Sequence, residues 1–421
     1  VNDPPSPTGR AGHDPYRALR HRDYLWFLLG GFCLIMGMQI QSAVLGWQIY
    51  ALTHDPLSLG LIGLAEGLPF LGLTLYGGTV ADHHDRRRIC AWSQAVLLAC
   101  AFGLLVASRG VGITQVGVLY AAQVVSGLAR AFYRPAYQAL AAELVPREAY
   151  ANASTWRSGS FHVATVVGPA LGGLLVRFGY PVAYGAEVAL MTLGLCYFPF
   201  FRLRAPARLR PAIAPGARAA WARLAEGVRF VFAQKIVLGA MSLDLFAVLF
   251  GGAPALLPIF ARDVLHVDAV GFGWLRAAPA LGSVAVSLWL AHRPPFRRVG
   301  RTLFACVAAF GLCWIAFAFS RSYALSLLLL VMSGGFDNVS VVVRSTLVQS
   351  FTPPELMGRV AAVNGFFIGS SNELGAFESG LGARLLGLVP SVVFGGIMTL
   401  LTVALIAWRA VELRRLERMP M

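Results

Sequence analysis

The chain is short of charge. Only 13% of its 421 residues are Asp, Glu, Lys or Arg, while 57% are apolar; an ordinary soluble domain has about 25% charged residues. So few charges cannot coat a soluble globule of this size. This excludes a soluble enzyme, a nucleic-acid binder and a disordered protein. Lysine occurs once, as Lys235. The net charge of +15 comes from arginines in short clusters between long apolar runs, a pattern that does not fit nucleic acid, which calls for one continuous basic face. Chemical motifs are scarce too. There is no Gly-x-x-x-x-Gly-Lys loop for nucleotide phosphates and no His-x-x-x-His pair on an apolar run. Cys33, Cys90, Cys100, Cys196, Cys306 and Cys313 include no C-x-x-C pair. They are therefore expected as buried small apolar side chains, with no metal, disulfide or cofactor. His83 and His84 beside Asp82 and Asp85 point in different directions on a helix and make a poor metal site.

What is present is a series of long apolar segments. Crossing the hydrocarbon takes about 20 mostly apolar residues as a helix. Twelve segments qualify: 24–50, 57–81, 89–108, 114–139, 150–176, 181–201, 236–261, 269–291, 302–320, 323–350, 359–387 and 389–408. They are continuous, unlike the alternating segments of about ten residues in a barrel. With the N-terminus inside, 25 of the 35 Lys and Arg fall in inner segments. Five fall in outer loops (Arg109, Arg177, Arg262, Arg321, Arg384) and five within spans (Arg130, Arg134, Arg157, Arg276, Arg344). This bias predicts both termini on the cytoplasmic side. No signal peptide is apparent, and residues 1–23 are expected to be a disordered cytosolic tail.

The one long insert, 202–235, divides the spans six and six. Two bundles are therefore expected, at 24–201 and 236–408, with a cytosolic tail at 409–421. The second part of the insert places Trp221, Leu224, Val228 and Val231 at helical spacing. That suits an amphipathic helix lying on the inner membrane face or one packed against the bundle ends. The halves also echo each other. Pro69, Ala81 and Arg87-Arg88 recur 210 residues later as Pro279, Ala291 and Arg297-Arg298. Ser126-Gly127, Leu140, Pro146 and Glu148 recur 207 residues later as Ser333-Gly334, Leu347, Pro353 and Glu355. Tandem repeats of this kind are expected of transporters built from two related bundles.

Three motifs point to one family. The loop after the second span reads GGTVADHHDRRR, in which Gly78, Asp82, Arg86 and Arg87 match the pattern Gly-x-x-x-Asp-Arg-x-Gly-Arg-Arg, while His83 and Asp85 depart from it. The fifth span contains GPALGG, with Gly168, Pro169, Gly172 and Gly173. The stretch FYRPAYQALAAELVPREAYANASTW begins at Phe132. Together they resemble the major facilitator superfamily, in particular the branch that includes the enterobactin exporter and multidrug efflux proteins. The resemblance implies an all-α polytopic membrane protein with 12 transmembrane helices in two pseudo-symmetric six-helix bundles. It implies that Gly78, Asp82, Arg86 and Arg87 form a cytoplasmic latch that shuts the inner face in the outward-open state. The GPALGG residues become a helix-packing motif associated with export. One family feature is missing: the Arg expected four residues before Gly127 is Gln123, and the nearest basic residue is Arg130. Arg130 and Arg134 are expected as latch partners or interface side chains rather than substrate ligands.

Charges within the spans supply the remaining candidates. Six acids lie there: Glu66, Glu187, Asp244, Asp337, Glu373 and Glu378. A charge at a lipid-facing helix centre costs about 2.5–3.5 kcal/mol on insertion scales, so most must face the interior, pair, or touch water. At about 1.5 Å per residue, Asp337 and Glu373 fall near mid-depth. Gln39, Gln41, His162, Asn338 and Asn372 add polar groups there. A carboxylate that moves between dry and wet surroundings changes its proton affinity. Asp337, Glu373 and Asp244 are therefore expected as proton carriers, or else as members of static ion pairs with Arg276 or Arg344. Glu66, Gln39, Gln41, His162, Arg276, Arg344, Asn338 and Asn372 complete the expected cavity. The expected function is a proton-coupled exporter of a small amphiphilic molecule, drug or siderophore-like, working by alternating access as a monomer in the bacterial inner membrane. The alternatives are an importer of a nutrient or lysolipid, or a transport-inactive receptor. Its expected partners are the substrate, protons and the bilayer, not nucleic acid.

Overall fold

A computed structural model describes residues 14–110, 114–198, 217–251, 253–293 and 296–417. Among these no strand occurs. The first half contains α1 (Arg22–Thr53), α2 (Pro56–His83), α3 (Arg86–Ala107), α4 (Thr114–Glu143), α5 (Tyr150–Val176) and α6 (Tyr180–Cys196). After α7 (Ala217–Ala233) come α8 (Lys235–Phe250), the short α9 (Leu257–Ile259), α10 (Ala269–Ala291), α11 (Val299–Phe319), α12 (Tyr323–Phe351), α13 (Met357–Leu386), α14 (Leu388–Arg409) and α15 (Val411–Arg414). Ten of the described helical segments are long and apolar enough to cross a membrane. Two of the twelve expected spans are not among them. α6 has 17 residues, and α13 has 30 residues but carries Asn364, Asn372, Glu373 and Glu378.

Local chemistry sets the helix boundaries. Asp55, Asp85 and Asp268 cap α2, α3 and α10 by accepting from the backbone N–H of Leu57, Arg87 and Gly271. Gly179 and Gly387, at φ 109° and 96°, make the turns into α6 and α14, where a side chain would be strained. The expected seventh span, 236–261, is not one helix. α8 ends at Phe250, a 3-10 turn covers Ala253–Leu256, and π-helical backbone covers Phe260–Val264. Gly251, Pro254 and Pro258 account for the break, because glycine loosens the helix and proline lacks the donor its ladder needs.

Within the first half α1 packs on α5 and α6, and α4 packs on α2 and α3. Within the second half α12 packs on α10 and α11, while α14 packs on α8 and α11. The halves meet through α2 with α13 and through α5 with α10. The linker helix α7 packs on α13 and α8, with Val231 fully buried beside Met241, Val348 and Val360. The same helix leaves Phe232 exposed. Trp221 and Leu224 lie outside the residues whose side chains are described. The first part of the linker, residues 202–216, also lies outside, as do residues 1–13.

Two expectations are corrected here. Residues 14–20 are not disordered. Ala18 N–H donates to Asn152, while Asn152 and Trp156 both donate to the Pro15 carbonyl, which seats the segment on the start of α5. The cysteines are not uniformly buried either. All six are free, with Cys33, Cys90 and Cys313 buried, Cys100 and Cys306 half-buried, and Cys196 exposed.

The apolar core is distributed unevenly along the bundle axis. At the end away from the basic loops one continuous cluster joins both halves, from Ile40, Val44 and Ile49 to Phe260, Phe272, Leu275 and Phe317. Toward the basic end the core separates into clusters that each belong to one half. One is built around Tyr24, Cys90, Leu140 and Met191, the others around Leu243, Leu303, Val343 and Val360.

Candidate functional site

That uneven core surrounds a cavity of about 710 Å³ between the halves. It is sealed at the end where the cores merge. A Cβ on Gly273 would stand 2.7 Å from the Pro169 carbonyl oxygen, and one on Gly60 would stand 3.0 Å from that of Ala376. Only glycine permits helices that close. Trp47 stacks on Phe272 with ring centroids 5.4 Å apart. Tyr50 hydrogen-bonds Asp263, and Arg384 lies 3.5 Å from Asp55 across the halves. Toward the basic end the contacts across the seam thin: Gly369 of α13 still meets Leu71 and Phe70 of α2, and α7 touches α2, but the apolar core no longer joins the halves. The cavity is therefore closed at one end and less tightly packed toward the basic loops.

Most of the expected cavity residues line it: Gln39, Gln41, Glu66, His162, Arg276, Asp337, Asn338, Asn372 and Glu373. The apolar wall includes Phe161, Phe310 and Trp314. Arg130, grouped with the latch on sequence, lies in this wall instead and forms an ion pair with Glu66. Gln123 donates to Glu66 at 3.0 Å and accepts from Gln41 at 3.1 Å, so one polar chain links α1, α4 and α2. Glu373 reaches this cluster from the other half. It packs on Gly63 and Gly67 of α2 and lies within the electrostatic reach of Arg130. Two acids thus share one arginine across the seam between the bundles.

Asp244 and Arg344 stand apart from the cavity wall. They form an ion pair between α8 and α12 in which the side chains are only 9% and 5% exposed. The expectation that both line the cavity is corrected: α12 presents Asp337 and Asn338 to the opening, and Arg344, seven residues on, to α8. A small void of about 10 Å³ lies between Asp244, Asp337 and Ser340, about the room one water needs. Glu187 of α6 is fully buried, and neither carboxylate oxygen has a hydrogen-bond partner among the described residues.

The residues expected as a latch make contacts within the first half. Asp82 is 68% exposed and lies 3.6 Å from Arg86 on its own side of the seam. Arg86 pairs with Glu143 and donates to the Ala81 carbonyl at 3.0 Å, while Arg87 donates to the Phe198 carbonyl at 2.7 Å. The network thus braces the ends of α2, α4 and α6 within one half. The close helix approach in this motif is made by Gly77, which packs on Ala131 and Phe132 of α4, and not by Gly78. Neighbouring positions point about 100° apart on a helix. Arg134 is exposed, with its guanidinium 5.9 Å from the Phe70 ring centroid. In the GPALGG motif, Gly168 and Gly172 fit α5 against Gln39 and Ile40 of α1, and Gly173 fits it against Ala269 of α10.

This arrangement, two bundles joined at one end around a charged cavity, is matched by a family. The family model of the Major Facilitator Superfamily matches residues 27–376. The chain belongs to this superfamily. It is a multi-pass membrane transporter and not an enzyme. It is 27% identical over 418 residues to the enterobactin exporter EntS of Escherichia coli O1:K1 / APEC, covering 95% of this chain and 94% of that one. Among solved structures it is similar to a bacterial homolog of the human lysosomal transporter Spinster in an inward-facing and occupied conformation, with TM-score 0.72, 14% identity, and 95% and 98% of the two chains covered. It is also similar to a point mutant of a peptide transporter POT, with TM-score 0.74, 12% identity, and 98% and 97% coverage. At these identities the structural likeness bears on the fold alone.

Several site residues escaped sequence reasoning: Gln123 and Ser42 in the cavity, Glu143 beside Arg86, and the Tyr50–Asp263 contact. A signal for part of the site was available in the internal repeat. The 210-residue offset that carries Pro69 onto Pro279 also carries Glu66 onto Arg276. The 207-residue offset that carries Gly127 onto Gly334 carries Arg130 onto Asp337. The same two places hold an acid and a base in each half, with the signs exchanged.

Proposed function

We propose that this transporter is a proton-coupled exporter of a small amphiphilic molecule, acting in a bacterial cytoplasmic membrane with both termini and the open mouth of the cavity on the cytoplasmic side. The observation that carries this reading is the cavity itself: closed at the far end, less tightly packed toward the basic loops, and walled by both aromatic side chains and carboxylates of both halves. Positive-inside bias places those loops in the cytosol, so an inward-open cavity is filled from within. Export is supported by the GPALGG packing and by the enterobactin exporter among the relatives.

Coupling is assigned to Glu66, Arg130 and Glu373. One guanidinium cannot fully neutralise two carboxylates, so a proton on one of the acids balances the charge of the cluster when the seam brings all three together. Rocking the bundles apart at the closed end separates Glu373 on α13 from Arg130 on α4 and changes which acid holds the proton. Asp337 is a second carrier, at the edge of the cavity. Asp244 acts as the static partner of Arg344. Breaking Tyr50–Asp263 and Arg384–Asp55 opens the far end, and Gly78, Asp82, Arg86 and Arg87 then meet the second half at the basic end. The protein acts as a monomer, each chain carrying a complete cavity.

The test is efflux from energised vesicles, with enterobactin and a cationic dye as probes. Uptake into inverted vesicles that stops when a protonophore collapses the gradient supports the reading. Uptake that continues unchanged without a gradient contradicts the coupling, and movement only in the opposite direction contradicts export.

A further inference from the structure

The three arginines at cavity depth are not equivalent. Arg130 has Glu66 and Arg344 has Asp244. Arg276 forms no ion pair among the described residues. Its one hydrogen bond among them is donated to the Ser42 hydroxyl at 2.7 Å. A guanidinium has five N–H donors, so most of its hydrogen-bonding capacity faces the cavity.

The packing explains why its counterpart acid does not serve it. In the first half, Gly127 of α4 packs on the carbonyl of Glu66, and Arg130, three residues on, reaches the Glu66 carboxylate. In the second half, the equivalent Gly334 of α12 packs on the carbonyl of Pro279, not of Arg276, and Ser283 donates to the Gly334 carbonyl at 2.9 Å. α12 is thus displaced along α10 by three residues, about 4.5 Å. Asp337, with a shorter side chain than arginine, is carried toward the basic end and leaves Arg276 alone.

Its position is also telling. Arg276 lies seven residues, about 10 Å, from the start of α10 at the sealed end. It is at the blind end of the cavity, where Ser42 of the first half meets it across the seam. A half-buried cation without a counter-charge is unfavourable unless something supplies one, and an anion there would be held by charge-assisted hydrogen bonds. Phe161, Phe310 and Trp314 offer apolar surface to the rest of such a molecule.

We propose that Arg276 anchors the acidic group of an organic-anion substrate, with Ser42 completing the site. This deepens the transport reading above and rests on it, since it names the chemical class of the cargo. Because Ser42 and Arg276 belong to different halves, the anion sits where the bundles hinge apart.

The test is equilibrium binding of 2-naphthoate to the purified full-length transporter, without any gradient. The neutral 2-naphthamide and the cationic 2-naphthylmethylamine serve as shape-matched controls. The expected result is that the wild type prefers naphthoate over the amide by about tenfold or more and binds the cation most weakly. Arg276→Gln should reduce that preference to about twofold, Arg276→Lys should keep part of it, and Ser42→Ala should weaken it less than Arg276→Gln does. Equal affinity for acid and amide in the wild type, tighter binding of the cation, no binding of any probe, or a preference that survives in Arg276→Gln would overturn the proposal. The wild-type comparison stands even where a variant fails to fold. Flux that continues unchanged without a gradient, with the acid preference intact, would contradict the coupling and leave this inference standing.

Discussion

The two halves carry an acid and a base at equivalent positions of the repeat and use the pair differently. In the first half Glu66 and Arg130 are joined, with Gln123 and Gln41 extending the contact. In the second half the signs are exchanged, and Arg276 and Asp337 stand apart, one with Ser42 and the other facing the cavity. A difference of three residues in how α12 seats on α10 separates them. Duplicated bundles need not duplicate their chemistry: a small slip in packing turns an internal ion pair into two free charges. The joined pair is suited to coupling through Glu373, and the parted pair to meeting what enters the cavity.

The comparison can be sharpened by removing charges. The largest effect is expected at the ion pair buried outside the cavity. Arg344→Leu should destabilise the protein by about 3–5 kcal/mol, because it leaves Asp244 buried and unpaired, and the double substitution with Asp244→Leu should recover most of the loss. Thermal melting in detergent checks both. A double variant no better than the single one would mean that the pair is not self-contained. Next comes the seam cluster. Glu373→Gln should lower gradient-driven flux about tenfold or more while substrate affinity changes by less than about threefold, since the charge is removed and the shape kept. Equal losses of flux and affinity would place Glu373 in substrate binding instead.

A smaller effect is expected where the cluster is wetter. Glu66→Gln and Arg130→Gln should each cost about 1–3 kcal/mol of stability, and the double variant less than the two together. Strict additivity in a double-mutant cycle would show that the joined pair contributes no coupling energy. The smallest effect concerns the sealed end. Gly273→Val should leave folding nearly intact yet hinder closure against Pro169, favouring the conformation open at that end. Interspin distances across the far ends of α5 and α10 check this, and unchanged distances would mean that the glycine contact does not set the closed state.

Much of the fold was legible because its causes are local. Length, apolarity and the distribution of arginine marked the spans, and Gly179 and Gly387 sit at turns that require a positive φ. The break after Phe250 was less legible, since Pro254 and Pro258 lie in a run as apolar as its neighbours. In the site, residues near mid-depth such as Gln41, Asp337 and Glu373 could be chosen by depth alone. Depth does not reveal facing, so Arg344 keeps the expected ion pair with Asp244 but off the cavity wall, and Arg130 lies in the wall rather than with the latch. Gly77 and Gly78 differ only in direction on one helix, and that direction depends on how α2 and α4 cross. The Glu143 partner of Arg86 depends on where two helix ends come to rest, which no spacing within either helix encodes.

The most direct measurement is the accessibility of the cavity from each side of the membrane. With the six native cysteines replaced, a single cysteine at Ala280, in the cavity wall, is labelled in oriented vesicles with a membrane-impermeant maleimide. The account predicts labelling from the cytoplasmic side at rest, and labelling from the opposite side as well once a proton gradient drives the bundles through their cycle. Labelling from one side only, with and without the gradient, would contradict it.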